Sequence, residues 1–230
     1  MEIIFVRHGD PDYAHDCLTE KGKMQADVVA KVLMAYDIKE IYASPLGRAQ
    51  ETALPYSRAV GLPVHTLPYM HELEWSSRNG EEIFANGHPW FCAEEMAKNG
   101  WDLTNPNWRD TPYFNNNTAT DNIDLVGRSV DEWLASFGMI REGVYYRNTR
   151  KDDSPFCVVL FSHGGSGAAA IARILNLPWP YVASVMHYDH TGISIIRFDS
   201  TPGSLKHPQL ILSNDSRHIQ QLTSNSHRFA

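Results

Sequence analysis

The stretch IIFVRHG at residues 3–9 decides the fold class of this chain. Its unbroken apolar and largely β-branched run predicts a strand buried on both faces, which is typical of a parallel sheet. The run ends at Arg7 and His8, so a cation and an imidazole stand at the carboxyl end of the strand. Parallel sheets carry their functional loops at these ends. We therefore interpret Arg7 and His8 as candidate site residues.

Two later stretches repeat this arrangement. The run EIYA at 40–43 is followed by SPLGR at 44–48, and CVVLF at 157–161 is followed by SHGG at 162–165. Because the carboxyl ends of parallel strands meet at one edge of a sheet, we expect Arg48 and His163 to lie close to His8.

The remaining elements alternate between helices and strands. We predict helices over 19–36, 46–59, 89–98, 126–147 and 167–175, and further strands over 64–67, 192–198 and 209–212. Such alternation predicts a three-layer α/β/α fold whose mostly parallel sheet is covered by helices on both faces. We predict one domain over 1–230, in which the tryptophan-rich segment 76–122 is a lid-like insertion over the site. The polar tail from Ser224 is expected to be frayed.

Composition excludes several classes of protein. The 230 residues carry a formal net charge of −7, which disfavours nucleic acid as a partner. The three cysteines are too few and too scattered for a disulfide framework. No apolar stretch is long enough to cross a membrane, and the first residues do not form a signal peptide. We predict a cytoplasmic protein, and the sequence leaves its oligomeric state open.

The candidate residues suit phosphoryl transfer. The transferred group spreads negative charge over its equatorial oxygens, which arginine forks match with paired donors. A neutral imidazole can attack phosphorus, and a second, cationic imidazole can stabilise the developing charge. The backbone N–H groups of Gly164 and Gly165, at a predicted helix start, could bind phosphate oxygens in the same way. A carboxylic acid could protonate the leaving oxygen.

These motifs, in this order, resemble the histidine phosphatase (phosphoglycerate mutase-like) superfamily. Each motif is short, and the order in which they occur along most of the chain makes the resemblance specific. The motifs that carry it are Arg7-His8-Gly9, the L-T-x-x-G-x-x-Q-A element at 18–26, the S-P-L-x-R-A-x-x-T-A element at 44–53, Ser162-His163-Gly164-Gly165 and the N-D-x-x-H element at 214–218.

The resemblance implies a histidine acid-type phosphatase that needs neither a metal nor a cofactor. His8 would become phosphohistidine, while Arg7, Arg48 and His163 would bind the phosphoryl oxygens. The proton donor of the family follows an L-x-E-like pattern, which Glu72 fits best in this chain. Glu74, two residues later, remains a competing candidate. The expected substrate is a small phosphorylated metabolite.

Two other functions remain open. A phosphoglycerate mutase shares the chemistry, but that branch typically shows R-H-G-E-S-x-W-N, whereas this chain has DPDY at 10–13. This departure disfavours a mutase and leaves the role of Asp10 open. A non-catalytic phosphate-binding module would be expected to have lost one of the core residues.

Some nearby features are ambiguous from sequence alone. His187, Asp189 and His190 are close enough in sequence to suggest a metal site, although a structural role is the simpler interpretation. The aromatic content of 76–122 suggests that the leaving group is organic and partly apolar, and that Trp90 or Trp108 influences selectivity.

Overall fold

The computed structural model describes residues 1–219 of the protein. Its strands are β1 (Glu2–Arg7), β2 (Pro11–Asp12), β3 (Cys17–Leu18), β4 (Ile38–Ala43), β5 (Val64–Thr66), β6 (Met139–Glu142), β7 (Tyr145–Asn148), β8 (Cys157–Ser162), β9 (Ile193–Arg197), β10 (Leu205–Lys206) and β11 (Gln209–Asp215). Its α-helices are α1 (Glu20–Leu33), α2 (Gly47–Val60), α3 (Pro89–Lys98), α4 (Ala119–Ser136), α5 (Gly164–Leu175) and α6 (Trp179–Val185). The expected frayed tail from Ser224 lies outside the described residues.

A six-stranded mixed sheet forms the centre of the molecule, in the order β11-β9-β1-β8-β4-β5. The neighbouring pairs β1–β8, β8–β4 and β4–β5 are parallel, whereas β9 runs antiparallel to both β1 and β11. The first strand therefore occupies the middle of the sheet. Its apolar run is fully buried, as the sequence predicted, although β1 is parallel to its neighbour on one side only.

Alternate residues of the sheet point into two separate apolar layers. Ile3 and Phe5 pack with buried residues of α3, α4, α5 and α6, while Ile4 and Val6 pack with α1 and α2. Burying each of these four side chains stabilises the fold by roughly 1.5–3 kcal/mol. Helices thus cover both faces, and the predicted three-layer α/β/α fold is confirmed.

The predicted long helix over 126–147 is wrong. Helix α4 begins earlier, at Ala119, and ends at Ser136, after which Gly138 adopts a left-handed backbone with φ of 81°. The following residues form the antiparallel hairpin β6–β7, whose turn contains Gly143. A hairpin forms here instead of a helix because β-branched and aromatic residues, which favour strands, flank a turn glycine. Two elements near the site were not predicted, the β2–β3 hairpin and α6.

Segment 76–122 packs on the same core as the sheet. It contains α3, a turn at 84–87 in which Ala85 and Asn86 have positive φ, and the short 3₁₀ helix Trp108–Asp110, and it runs into the start of α4. Its buried side chains, including Met96, Trp108 and Phe114, belong to the apolar layer shared with α4 and α5. No helix within residues 1–219 is both long and apolar enough to cross a membrane.

Candidate active site

The carboxyl edge of the central sheet brings together the two histidines that the sequence singled out. His8 follows β1 and His163 follows the adjacent β8, and their ring centroids lie 5.1 Å apart. His8 is 1% exposed and His163 is 0% exposed. The next parallel strand, β4, leads into α2, which carries the buried Arg48. The four predicted core residues therefore converge, although they come from three distant parts of the chain.

Hydrogen bonding determines which nitrogen of His8 is free. Its Nδ1 lies 2.7 Å from the carbonyl oxygen of Gly9. A carbonyl can only accept, so Nδ1 carries the proton and Nε2 keeps its lone pair. Burial, followed by the charges of Arg7 and Arg48, lowers the pKa of His8 to about 3. The imidazole is therefore neutral near pH 7, which is the nucleophilic form.

The residue after His8 is held by both neighbouring helices. The Gly9 N–H donates to Thr52 Oγ1 on α2 at 3.0 Å. On the α1 side, a Cβ at Gly9 would lie 2.7 Å from the carbonyl oxygen of Gly22. Only glycine fits this close approach of two backbones. Thr52 and Gly22 belong to the two motifs that follow His8 in sequence, and they fix the loop that carries it.

The β2–β3 hairpin positions Arg48. Its Nη1 donates to Asp16 Oδ1 at 2.5 Å, while Asp16 Oδ2 accepts from the Gly47 N–H at 2.7 Å. The Arg48 guanidinium also lies 5.3 Å from the centre of the Tyr13 ring. Sequence reasoning missed both Tyr13 and Asp16, because nothing in their spacing distinguishes them from ordinary loop residues.

Loop 186–192, between α6 and β9, positions Arg7. Arg7 Nη1 donates to the carbonyl oxygen of Tyr188. The Asp189 N–H donates to Asn214 Oδ1 at 2.8 Å, and Asn214 Nδ2 donates to Asp189 Oδ2 at 3.0 Å. His218 Nε2 lies 3.1 Å from Thr191 Oγ1. The N-D-x-x-H element therefore holds loop 186–192 in place and, through it, Arg7.

His163 differs in charge from the expectation. Its Nε2 lies 2.6 Å from Ser44 Oγ. Burial, then the charges of His8 and Arg48, lowers its pKa well below the usual value. The sequence suggested a cationic imidazole, but His163 is neutral in the protein alone. An anionic phosphoryl group nearby would favour its protonated form.

Glu72 and the start of α5 form one hydrogen-bonded unit. Glu72 Oε1 accepts from the N–H groups of Leu73 at 2.9 Å, Gly165 at 3.0 Å and Ser166 at 3.2 Å. The Gly165 N–H is therefore bonded to Glu72, contrary to the expectation that it would bind phosphate. Within residues 1–219, the Gly164 N–H makes no hydrogen bond. Burial raises the pKa of Glu72 despite these hydrogen bonds, which favours the proton-carrying form.

The two candidate acids have different surroundings. Glu72 lines a cavity beside Arg7, whereas Glu74 is exposed and does not reach that cavity. The Glu74 carbonyl oxygen accepts from Asn122 Nδ2 at 3.2 Å, which ties its backbone to α4. Geometry therefore favours Glu72 over Glu74.

The cavity at the site has a volume of about 460 Å³ and a largely aromatic wall. Within residues 1–219 Arg7 is the one lysine or arginine that lines it. Its lining comprises Arg7, Tyr13, Glu72, Trp75, His88, Trp90, Gly164, Ala183, Met186, His187 and Tyr188. Trp108 is absent from this wall because it is buried in the core, 4.8 Å from Phe114 between ring centroids. The suggested influence of Trp108 on selectivity therefore has no geometric support.

Asp10 connects the nucleophile loop to α1. Its Oδ2 accepts from Thr19 Oγ1 at 2.7 Å, and its backbone N–H donates to Gln25 Oε1 at 2.7 Å. The hydrogen bond from Thr19 is the main reason that the pKa of Asp10 is lowered. Asp10 is thus ionised near neutral pH and lies beside the site.

The three residues suggested as metal ligands do not point to one place. His187 Nε2 pairs with Asp189 Oδ1 at 2.9 Å, whereas His190 turns towards Asp10. Over residues 1–219, no group of three histidine, cysteine or acidic side chains is arranged to hold a metal ion.

Comparisons with known proteins bear on the family and the fold. The family model for the histidine phosphatase superfamily (branch 1) matches residues 3–210. A glucosyl-3-phosphoglycerate phosphatase of Mycobacterium tuberculosis is 27% identical over 210 residues, covering 84% of each chain. A probable phosphoglycerate mutase of Enterobacter sp. is 25% identical over 211 residues, covering 88% of this chain and 87% of the other. The structure of a phosphoserine phosphatase from Entamoeba histolytica with 3-phosphoglyceric acid has a TM-score of 0.60 at 23% identity, covering 95% of this chain and 98% of that chain.

Proposed function

The chain belongs to the histidine phosphatase superfamily, and from that premise we propose that it hydrolyses phosphomonoesters through a phosphohistidine at His8, without a metal ion. The observation that carries the proposal is the state of His8. It is a buried, neutral imidazole whose Nδ1 proton is committed to the Gly9 carbonyl, which leaves Nε2 free beside Arg7 and Arg48.

The first proposed step transfers the phosphoryl group to the protein. His8 Nε2 attacks phosphorus, and the bond between phosphorus and the ester oxygen breaks. Arg7, Arg48 and His163 hold the equatorial oxygens, where charge accumulates, together with the Gly164 N–H. The carboxyl group of Glu72 gives its proton to the departing oxygen.

The second proposed step returns the protein to its starting state. A water molecule attacks phosphorus and gives a proton to the Glu72 carboxylate. The bond between phosphorus and His8 Nε2 breaks, inorganic phosphate leaves and His8 recovers its lone pair. The charges that assist both steps come from protein side chains, so the mechanism requires no metal ion.

The residues that line the cavity favour an apolar leaving group. Tyr13, Trp75 and Trp90 offer aromatic surface, and Arg7, the one lysine or arginine in the described wall, is assigned to the phosphoryl group. A second strong negative charge on the substrate would therefore lack a partner. We propose that the leaving group is organic, partly apolar and without a carboxylate, and that segment 76–122, which supplies Trp90, acts as a lid over it.

We expect hydrolysis of p-nitrophenyl phosphate by the purified protein to continue undiminished in EDTA, because no proposed step uses a metal. Phosphate release should be measured with EDTA across a panel that adds phosphoserine, glucosyl-3-phosphoglycerate and aryl and alkyl phosphates. Loss of all activity on chelation, restored by a divalent cation, would contradict the proposal.

A mutase remains the alternative, because one relative bears the name of a probable phosphoglycerate mutase. The same panel should include 3-phosphoglycerate with a trace of 2,3-bisphosphoglycerate. Isomerisation faster than phosphate release would favour the mutase, whereas phosphate release without isomerisation would favour the phosphatase.

Trp90→Ala should change selectivity more than activity. We expect kcat/KM to fall roughly ten-fold for aryl phosphates and much less for phosphoserine, because the only part of a substrate that the indole is proposed to contact is an apolar leaving group. Trp101→Ala is the matched control, since Trp101 is 42% exposed and does not line the cavity. Equal losses on all substrates in Trp90→Ala would argue for a purely structural role of this ring.

A further inference from the structure

His190 is an imidazole beside the nucleophile that the proposed steps leave unused. Its ring centroid lies 5.5 Å from that of His8, comparable with the 5.1 Å between His8 and His163. It belongs to loop 186–192, which Asn214 holds through Asp189. These hydrogen bonds hold the backbone beside His190 in place.

The two nitrogens of His190 have different surroundings. Nδ1 lies 3.7 Å from Asp10 Oδ1. Nε2 is buried and has no hydrogen-bond partner within residues 1–219. A buried polar atom without a partner costs free energy, so its presence calls for a physical reason.

Other residues near His8 also carry unpaired nitrogens. Arg7 Nε, Arg48 Nε and His163 Nδ1 are also buried and unpaired in the described part of the chain. The arginines and His190 all act electrostatically on His8, which places them near its ring. Four chain segments thus place residues with unpaired nitrogens around His8, a pattern that fits an anion with several oxygens.

We propose that His190 is a further phosphoryl-binding residue, oriented by Asp10, whose Nε2–H donates to an equatorial oxygen of the group held at His8. This inference rests on the proposed function. Both His190 and His163 stand beside the His8 ring, so they are placed for equatorial oxygens, whereas Glu72 serves the leaving group.

The charges around His190 agree with this role. The groups that face it are Asp10, Asp189, Arg7, Lys21 and His8. Burial, then Arg7, lowers the pKa of His190 to about 4, so the ring is neutral in the protein alone. A phosphoryl dianion on one side and the Asp10 carboxylate, 3.7 Å from Nδ1, on the other would both favour the doubly protonated ring, whose Nε2–H then has an acceptor in the phosphoryl group.

The test is binding of inorganic phosphate by calorimetry, which does not depend on turnover. We expect His190→Ala to weaken binding about ten-fold or more, the size of a lost hydrogen bond between charged groups. His190→Asn, which keeps an N–H donor, should recover most of the loss. The exposed His207 is the matched control, and His207→Ala should bind like the wild type.

Asp10→Asn supplies an independent test, because the two explanations predict opposite changes in phosphate affinity. Removing a negative charge near an anion would strengthen phosphate binding on Coulombic grounds alone. We instead expect Asp10→Asn to bind phosphate more weakly, because His190 loses the carboxylate that favours its charged form. In protein that already carries His190→Asn, adding Asp10→Asn should not weaken phosphate binding.

The outcomes separate the two proposals. Wild-type phosphate binding that is unchanged in His190→Ala would overturn the role of His190 and leave the proposed function intact. Stronger phosphate binding in Asp10→Asn would also overturn the role of His190. The same would follow if Asp10→Asn changed phosphate binding equally in the wild type and in His190→Asn. A wild-type protein that neither binds phosphate nor hydrolyses esters would overturn both.

Discussion

His8→Ala is expected to lower kcat for p-nitrophenyl phosphate by about 10⁴-fold or more, because the proposed mechanism has no other nucleophile. The arginines and His163 do not depend on the His8 ring for their hydrogen bonds, so phosphate binding should persist in the variant. The measurement is steady-state turnover together with calorimetric phosphate binding. Phosphate binding without turnover would locate the defect in the chemical step.

The covalent intermediate gives a second readout. Wild-type protein quenched during turnover of a ³²P-labelled ester should carry label that is stable to base and labile to acid, as expected of a phosphoramidate bond. His8→Ala should carry none, and His65→Ala, which alters an exposed histidine of β5, should be labelled like the wild type. Full activity of His8→Ala, or label that survives there, would contradict a nucleophilic role for His8.

Glu72→Gln is expected to reduce hydrolysis of alkyl phosphates by about 10²- to 10⁴-fold, because a poor leaving group must be protonated as it departs. The loss should be much smaller for p-nitrophenyl phosphate, whose leaving group departs readily as an anion. Glutamine keeps an oxygen that can accept the N–H groups of Gly165 and Ser166, so the start of α5 should be preserved. The measurement is kcat/KM across a series of esters that differ in leaving-group pKa.

The pH dependence of the same series identifies the acid. Burial raises the pKa of Glu72, so the proton-carrying form persists to higher pH than for an exposed glutamate and is lost as the pH rises through that value. Wild-type activity on alkyl phosphates should therefore fall on the alkaline side of this pKa, and Glu72→Gln should lack that decline. Glu74→Gln is the control with the same chemical change. A larger loss in Glu74→Gln than in Glu72→Gln would assign the proton donor to Glu74.

Sequence patterns predicted the parts of the site that sit on regular elements. The buried run before His8 and the similar run before His163 indicated parallel strands, and the rule for strand ends then placed both histidines together. The order of the short motifs indicated the family. These signals are local, because a strand or a glycine turn is encoded in a few adjacent residues.

The parts that were missed depend on contacts between distant residues. Tyr13 and Asp16 lie in a short hairpin without periodicity, and only the folded chain brings them to Arg48. The sequence suggested His190 only as a metal ligand or a structural residue, and its position beside His8 was not predicted. The sequence favoured Glu72 over Glu74 only by the resemblance to a short pattern, and their surroundings differ because Glu72 meets the N–H groups at the start of α5. The error over 126–147 arose because the helical pattern of α4 was extended past Gly138 into the β6–β7 hairpin.

The central position of β1 has a consequence for synthesis of the chain. Glu2 pairs with Cys157 on one side and with Arg197 on the other, so the strand that precedes His8 gains both neighbours only after synthesis has passed Arg197. Until then its apolar run must remain exposed or be sheltered by a chaperone. The nucleophile loop therefore cannot be fully assembled before residue 197 has been synthesised, and contacts of such long sequence separation predict slow folding.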